Sequence, residues 1–542
     1  MSRHAIGMDF GTESARGVLV DVATGRVLTA SSYAYPHGVL DRTLPGSDER
    51  LPSDWALQHP GDWLLALEAL LRAAADAGRP EDVVGIGIAF TSCTVLPTAA
   101  DGTPLCMTRE HRHAPHAWPK LWKHHAAQPY ADRINAAVGQ PGGEFLALYG
   151  GKTSSEWMWA KGWQVLAEAP APVSRAMARW IEGGDWLVWR LTGSETRSAC
   201  QAGYKAHWQK DAGYPPARFW RALDPALAGL RDALAAEPQR VGTRAGGLAP
   251  DWASRVGLRP GTPVAAAVVD AVAAVPALGV HEAGRLVMIM GTSTCHLVMD
   301  RQRRAVRGIS GVVEDGIVPG LFGYEGGQAS VGDIFQWFVR TSLPARYGSG
   351  AFERLEGEAA RIEPGASGLL ALDWWNGCRT PLVDADLSGA VLGFTQTTEP
   401  AEIYRALLES TAYGTRRVIE TLEAGGVPVL EVHACGGLAE RNALLLQITA
   451  DVTGRSILAA RAPDATAVGA SVYAAAAAEG GTEMAGVIRR MGTAERVVYR
   501  PDGRAKQVYE ELYRYYVELA RYFGEGGTEI MKRLHRRRRG TT

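Results

Sequence analysis

Two carboxylates and a few glycine loops are the residues of this chain whose types and spacing suit chemistry on a phosphate. Asp270 closes an apolar run, Val264-Ala265-Ala266-Ala267-Val268-Val269, that reads as a buried strand. A second apolar run, Leu286 to Met290, breaks at Gly291-Thr292-Ser293-Thr294. A carboxylate at the carboxyl end of a buried strand, near a Gly/Thr/Ser loop, suggests a general base facing a phosphate. The same residue types equally suit a helix cap at Asp270 and a hairpin turn at Gly291. This stretch alone leaves both readings open.

The N-terminus repeats the device. Ala5 to Met8 leads into Asp9-Phe10-Gly11-Thr12-Glu13-Ser14, and Gly17 to Asp21 resumes a strand pattern, which predicts a hairpin. Backbone N–H groups and hydroxyls at its tip can cradle an anion. Asp9 before the tip suits a magnesium ion held through water, because magnesium keeps much of its hydration shell. A plain hairpin with a polar tip is the alternative. The recurrence of strand, Gly-Thr-Ser loop and strand at Met290 to Val298 instead suggests a duplicated unit with a phosphate between the copies. Later, Val432 to Cys435 enters Gly436-Gly437-Leu438-Ala439-Glu440-Arg441-Asn442, a glycine turn at a helix start that lets backbone approach a nucleotide.

These residues need elements to hold them. The spacing of Trp63, Leu64, Leu67, Leu70 and Leu71 predicts an amphipathic helix over 60–78, and Val83 to Phe90 a strand ending in Thr91-Ser92-Cys93-Thr94. That alternation predicts a mixed sheet covered by helices. From Arg109 to Trp163 the chain is rich in His and Trp; no spacing there suits a metal, and aromatic platforms for a polyol are the expectation. Ala202-Gly203-Tyr204-Lys205 sets a lone lysine after glycine, and Tyr324-Glu325-Gly326-Gly327 a carboxylate among glycines. Leu369 to Asp373 is a strand running into the aromatic turn Trp374-Trp375-Asn376-Gly377. Helices are expected over 402–424, 465–478 and about 506–523.

At 542 residues the chain exceeds one core and predicts two or three domains. Hydrophobic content of 46% and charged content of 21% are those of an ordinary globular protein. A net charge of −1 gives no field that favours nucleic acid or an anionic membrane. The exception is Lys532, Arg533 and Arg536 to Arg539, which read as a solvated disordered tail or, alternatively, a contact for an anionic partner. Arg3, His4 and Asp9 interrupt any apolar start, so no signal peptide is expected, and no run approaches the ~18 apolar residues that a membrane span needs. The six cysteines form no close-spaced pair, which fits a reducing cytoplasm.

Taken together, Asp9 to Arg16, the strand ending in Asp270, Gly291-Thr292-Ser293, and Gly436-Gly437 with Asn442 resemble the FGGY family of carbohydrate kinases, over nearly the whole chain to about Tyr499. Longer runs resemble its ribulokinase-like branch: Trp55-Ala56-Leu57-Gln58-His59-Pro60, Leu121 to Ala126, Gly150 to Trp157, Ala202 to Lys205 and Leu372 to Gly377. The resemblance implies an α/β, actin-like (ribonuclease H-like) ATPase fold, two domains hinged around a central cleft. The expected division is 1–280 for sugar, 281–500 for nucleotide, and 501–542 as a C-terminal helix and basic tail. It implies ATP with Mg2+ and a pentulose as ligands, a homodimer, and phosphorylation of ribulose (L-, and also D-) to its 5-phosphate in pentose catabolism. Carried over by motif, Asp270 is the base, and Gly11-Thr12 and Gly291-Thr292 face the phosphates with Asp9 near the metal. Gly436, Gly437 and Asn442 border the adenosine, and Ser92, Lys205 and Glu325 contact the ketose. Two positions depart from that branch, which carries Asp where Ala89 stands and His where Val272 stands. A kinase for xylulose or another ketopentose, and a non-catalytic actin-like nucleotide binder, are the alternatives.

Overall fold

The computed structural model describes residues 3–234, 237–492 and 495–538. Two mixed sheets form its frame. The first is built from β1 (His4–Phe10), β2 (Ser14–Asp21), β3 (Val27–Ala34), β4 (Val83–Phe90), β5 (Arg244–Gly247), β6 (Pro263–Ala265) and β7 (Val268–Val269). Its order is β3-β2-β1-β4-β6-β5, with β7 also on β4. The second comprises β8 (Arg285–Met290), β9 (Thr294–Asp300), β10 (Gly311–Glu314), β11 (Phe322–Gln328), β12 (Glu431–Cys435), β13 (Ile457–Arg461) and β14 (Glu495–Tyr499). Its order is β10-β11-β9-β8-β12-β13-β14.

Setting β7 and β10 aside, the sheets match strand for strand. Each runs antiparallel, antiparallel, parallel, parallel, antiparallel from β3 or β11 across to β5 or β14. The duplication expected from the two Gly/Thr/Ser hairpins is therefore a duplication of whole sheets, and the hairpins β1–β2 and β8–β9 occupy equivalent places in them.

The helices that bear on the site are α1 (Pro60–Ala77), α2 (Ala199–Ala206), α3 (Asp270–Ala277), α4 (Gly332–Ser342), α5 (Pro400–Ala424), α6 (Gly437–Arg441), α7 (Ala443–Thr453), α8 (Ala465–Ala478), α9 (Gly503–Gly524) and α10 (Ile530–Arg538). α1 buries Trp63, Ala66, Leu67, Leu70 and Leu71 against Ile6, Met8, Ile86 and Ile88 of the first sheet. α8 is apolar on every side, the mark of a helix covered all round. Although it lies in sequence between β13 and β14 of the second sheet, it packs on β1 and β4. A Cβ on Gly7 would stand 1.9 Å from Ala467 O, and one on Gly87 2.0 Å from Ala470 O, so glycine is required for that approach. With α3, α8 forms an apolar layer that joins Ala5 and Val18 of the first sheet to Val287 and Leu297 of the second.

Three expectations need correction. The run from Val264 to Val269 is two short strands, not one. Val264 lies opposite Ile86 and Val268 opposite Ala89, so the run carries one residue more than the stretch it faces and breaks at Ala266-Ala267. Most of the His/Trp-rich region is core, not a platform: Trp159 stacks on Trp220 at 4.0 Å between ring centres, and His116 and His124 pack edge-on against Trp55. Large rings carry the greatest burial gain, which outweighs their polar edges. The basic stretch from Lys532 to Arg538 is helix α10, not a disordered tail. Met531 is buried and Lys532 Nζ meets Asp384 at 3.0 Å. Arg539 lies outside the described residues.

Candidate active site

Asp270 satisfies both readings the sequence left open. It is the first residue of α3, its Oδ1 accepting the Ala271 N–H at 2.8 Å, and it stands where β7 ends. Burial pushes its carboxyl up to about 6; the Ala271 bond and Lys205 oppose that rise and Glu325 adds to it. Asp9, near the end of β1, has Oδ1 buried with no partner. Burial, then the negative charge of Asp270, push Asp9 up to about 7, with Arg16 opposing. The two carboxylates, 261 positions apart in sequence, thus share one desolvated space. Such a space favours a cation or a proton donor.

Lys205 and Glu325 are brought together from opposite halves. Lys205, on α2, donates to Oε1 and Oε2 of Glu325, on β11, at 2.9 and 2.8 Å. Burial alone would depress the ammonium, but Glu325 outweighs it and holds Lys205 above its ordinary value. Lys205 is thus a buried lysine, not a surface one. Ser92, just beyond β4, has a buried hydroxyl with no partner. Cys295 of β9 stands beside the same group, its thiol pushed up to about 12 by burial and then Glu325.

Two residues of this cluster escaped the sequence reading. Arg379 lies 3.7 Å from Glu156, again joining the two halves. Burial alone would raise the Glu156 carboxyl, but Arg379 and the cations around it hold it below its usual range. Glu156 belongs to the Gly150–Trp157 run and Arg379 follows the Trp374–Gly377 turn, but neither stretch names the other as its partner.

Gly11 and Thr12 sit at the tip of β1–β2, where Gly11 N–H meets Ser14 O at 2.9 Å; Gly291 and Thr292 sit at the tip of β8–β9, where Gly291 N–H meets Ser293 O at 2.9 Å. Gly436 has φ 95°, and a Cβ there would lie 2.6 Å from Met290 O, so the glycine turn rests on the strand that leads into the second loop. Gly437 opens α6. Asn442 is buried and caps α7: its Oδ1 accepts the Leu445 N–H at 2.8 Å and its amide reaches Tyr404 Oη at 3.2 Å. Both ends of its side chain are spent inside the protein, and what it contributes toward a ligand is the placement of the α6–α7 junction.

All six cysteines are unpaired, and no described helix is long and apolar enough to cross a membrane.

Residues 286–478 match the family model described as the C-terminal domain of the FGGY family of carbohydrate kinases. Over 98% of its length the chain is 48% identical to the ribulokinase of Geobacillus thermodenitrificans, covering 96% of that protein. It is 45% identical to the ribulokinase of Mycolicibacterium smegmatis, over 98% of this chain and 96% of that one. Among solved structures, a xylulose kinase from Rhodospirillum rubrum superposes with a TM-score of 0.78 at 24% identity, over 96% of this chain and 98% of that one. A gluconate kinase from Lactobacillus acidophilus superposes at 0.79 with 16% identity, over 97% and 99%. These structural likenesses carry the fold, an actin-like pair of ribonuclease H-type domains.

Proposed function

The chain belongs to the FGGY family of carbohydrate kinases, and on that premise we propose that it transfers the γ-phosphate of ATP to ribulose, giving ribulose 5-phosphate. Full-length similarity to ribulokinases supports the substrate class. The observation that carries the chemistry is the meeting of Asp270 with the Lys205–Glu325 pair, beside a second carboxylate and two glycine loops.

Phosphoryl transfer asks for positioning and charge neutralisation rather than covalent help. Asp270, ionised above about pH 6, accepts the proton of the attacking sugar hydroxyl. Lys205 donates to a ketose oxygen and Glu325 accepts from a ketose hydroxyl, each exchanging part of its present ion pair for the sugar. Ser92 offers an unspent hydroxyl on the same side. Asp9, with a buried unpartnered oxygen, suits a hydrated Mg2+ ion; when bound, Mg2+ supplies neutralising charge to the phosphates. Gly11-Thr12 and Gly291-Thr292 direct amides at those phosphates, and the Gly436–Asn442 turn borders the adenosine. The sugar lies mostly against the first half and the nucleotide mostly against the second, over 1–280 and 281–500, with 501–542 appended.

Coupled ADP release across D- and L-ribulose and D- and L-xylulose tests the assignment. Ribulose is expected to give the highest kcat/KM. A preference for xylulose of about tenfold or more, a difference of about 1.4 kcal/mol in transition-state binding, would overturn the substrate, and no ADP release with any pentulose would overturn the kinase reading.

A further inference from the structure

The two phosphate loops are gripped from behind, in the same way but by different chemistry. In the second loop, Gly332 N–H donates to Gly291 O at 3.1 Å, and Val331 and Asp333 N–H donate to Thr292 O at 2.8 and 3.3 Å. The start of α4 thus holds both carbonyls. A trans peptide places its N–H opposite its C=O, so tying those carbonyls to α4 turns the N–H groups of Thr292 and Ser293 away from it. Among the described residues, no backbone N–H does this work in the first loop. Gln58 Nε2 instead donates to Thr12 O at 2.7 Å and reaches Gly11 O at 3.4 Å. The same geometry then turns the N–H groups of Thr12 and Glu13 outward. Among the described residues, none of these four N–H groups has a hydrogen-bond partner within the protein.

Gln58 is well placed for the task. It is buried, its own N–H meets Pro119 O at 3.3 Å, and it directly precedes His59, whose ring accepts the Gly61 N–H and caps α1. Facing two carbonyls fixes its amide with nitrogen toward the loop. A second hold comes from Trp122, whose indole N–H donates to Thr12 Oγ1 at 3.1 Å. Indole nitrogen only donates, so Thr12 accepts there and keeps its hydroxyl proton for another acceptor.

We propose that Gln58, assisted by Trp122, is a positioning residue of the phosphate site: it orients the Gly11–Glu13 amides toward the β- and γ-phosphates, as the main chain of residues 331–333 orients the second loop. Gln58 touches neither sugar nor base. The inference rests on the kinase reading above.

The test compares two nucleotides, an imido analogue of ATP with Mg2+ and AMP, on Gln58→Met and Trp122→Phe. Gln58→Met keeps volume but removes the donor. It is expected to weaken the triphosphate analogue about tenfold while leaving AMP within about twofold, since only the analogue reaches the loop. In turnover, kcat falls about tenfold with KM for ribulose within about twofold, because the sugar contacts are untouched. Trp122→Phe moves the same quantities in the same direction by less. Wild-type analogue affinity and kcat in Gln58→Met would overturn the proposal. So would equal loss of analogue and AMP, which marks general damage. The nucleotide titrations need no sugar turnover, so a wild-type protein inactive on every pentulose would sink the kinase reading and leave this test standing.

Discussion

At the scale of single residues, the proposed chemistry turns on how far burial shifts two carboxylates. A carboxyl raised to about 6 is protonated below that value, and a protonated Asp270 accepts no proton. Activity should therefore fall as pH drops through about 6, with a limb that belongs jointly to Asp270 and Asp9, since their charges act on one another. A kcat/KM profile from pH 4.5 to 8 checks this; a flat profile through pH 5 would contradict it. Asp270→Asn keeps the shape and removes the base, so kcat should drop ~10²–10⁴-fold while nucleotide affinity persists. A variant retaining about a tenth of wild-type turnover would remove Asp270 from the role. Asp270 and Asp9 were legible in the sequence because each ends an apolar run beside a Gly/Thr loop. Lys205 and Glu325 are placed at the ketose only through resemblance, and their pairing, like that of Glu156 with Arg379, was not legible at all. Each is an ion pair between distant segments, and neither partner's local sequence encodes the other.

At the scale of elements, the two departures from the ribulokinase-like pattern lie in one apolar layer. Ala89 lies opposite Asp9 in the register of β1 and β4, and it continues the row of Gly85 and Gly87 that faces α8. Val272, on α3, belongs with Ala89 to the apolar layer between the sheets. A lone Asp or His in that layer would have no partner, at a cost of ~1–3 kcal/mol. Ala89→Asp and Val272→His should each lower the melting temperature. The double variant should recover more than the single effects predict, by ~0.5–3 kcal/mol of coupling. Strict additivity would show that the positions do not touch. The hairpins, α1, β4 and the helix over 465–478 were legible from periodicity and loop chemistry. What α8 packs against was not, because an apolar surface all round announces burial without naming the neighbour. The β6–β7 break was hidden for a related reason: one extra residue is visible only against the register of β4.

At the scale of the whole molecule, the halves are already tied to one another through hydrogen bonds and an ion pair. Lys205 with Glu325 and Gln209 Nε2 with Val312 O at 3.1 Å tie the first half to the second, and Tyr473 Oη of α8, the helix that lies on the first sheet, reaches Ile317 O at 2.8 Å. The free amides of the two loops, by contrast, belong one pair to each half and have no protein partner among the described residues. A triphosphate that engages both loops gains its second set of bonds only when the halves approach. Such differential contact is what shifts an equilibrium toward a compact state. On the proposed contacts, ribulose would add to this by loosening Lys205 from Glu325 while bridging both, and closure would exclude water that competes for the γ-phosphate. The radius of gyration by small-angle scattering should therefore shrink with ribulose and a non-hydrolysable ATP analogue together, and by less with either alone. Gln58→Met, with one loop released, should shrink less than wild type at the same saturation. An unchanged radius for wild type with both ligands bound would mean that the loops are already at their working distance and that the hinge plays no part in the reaction.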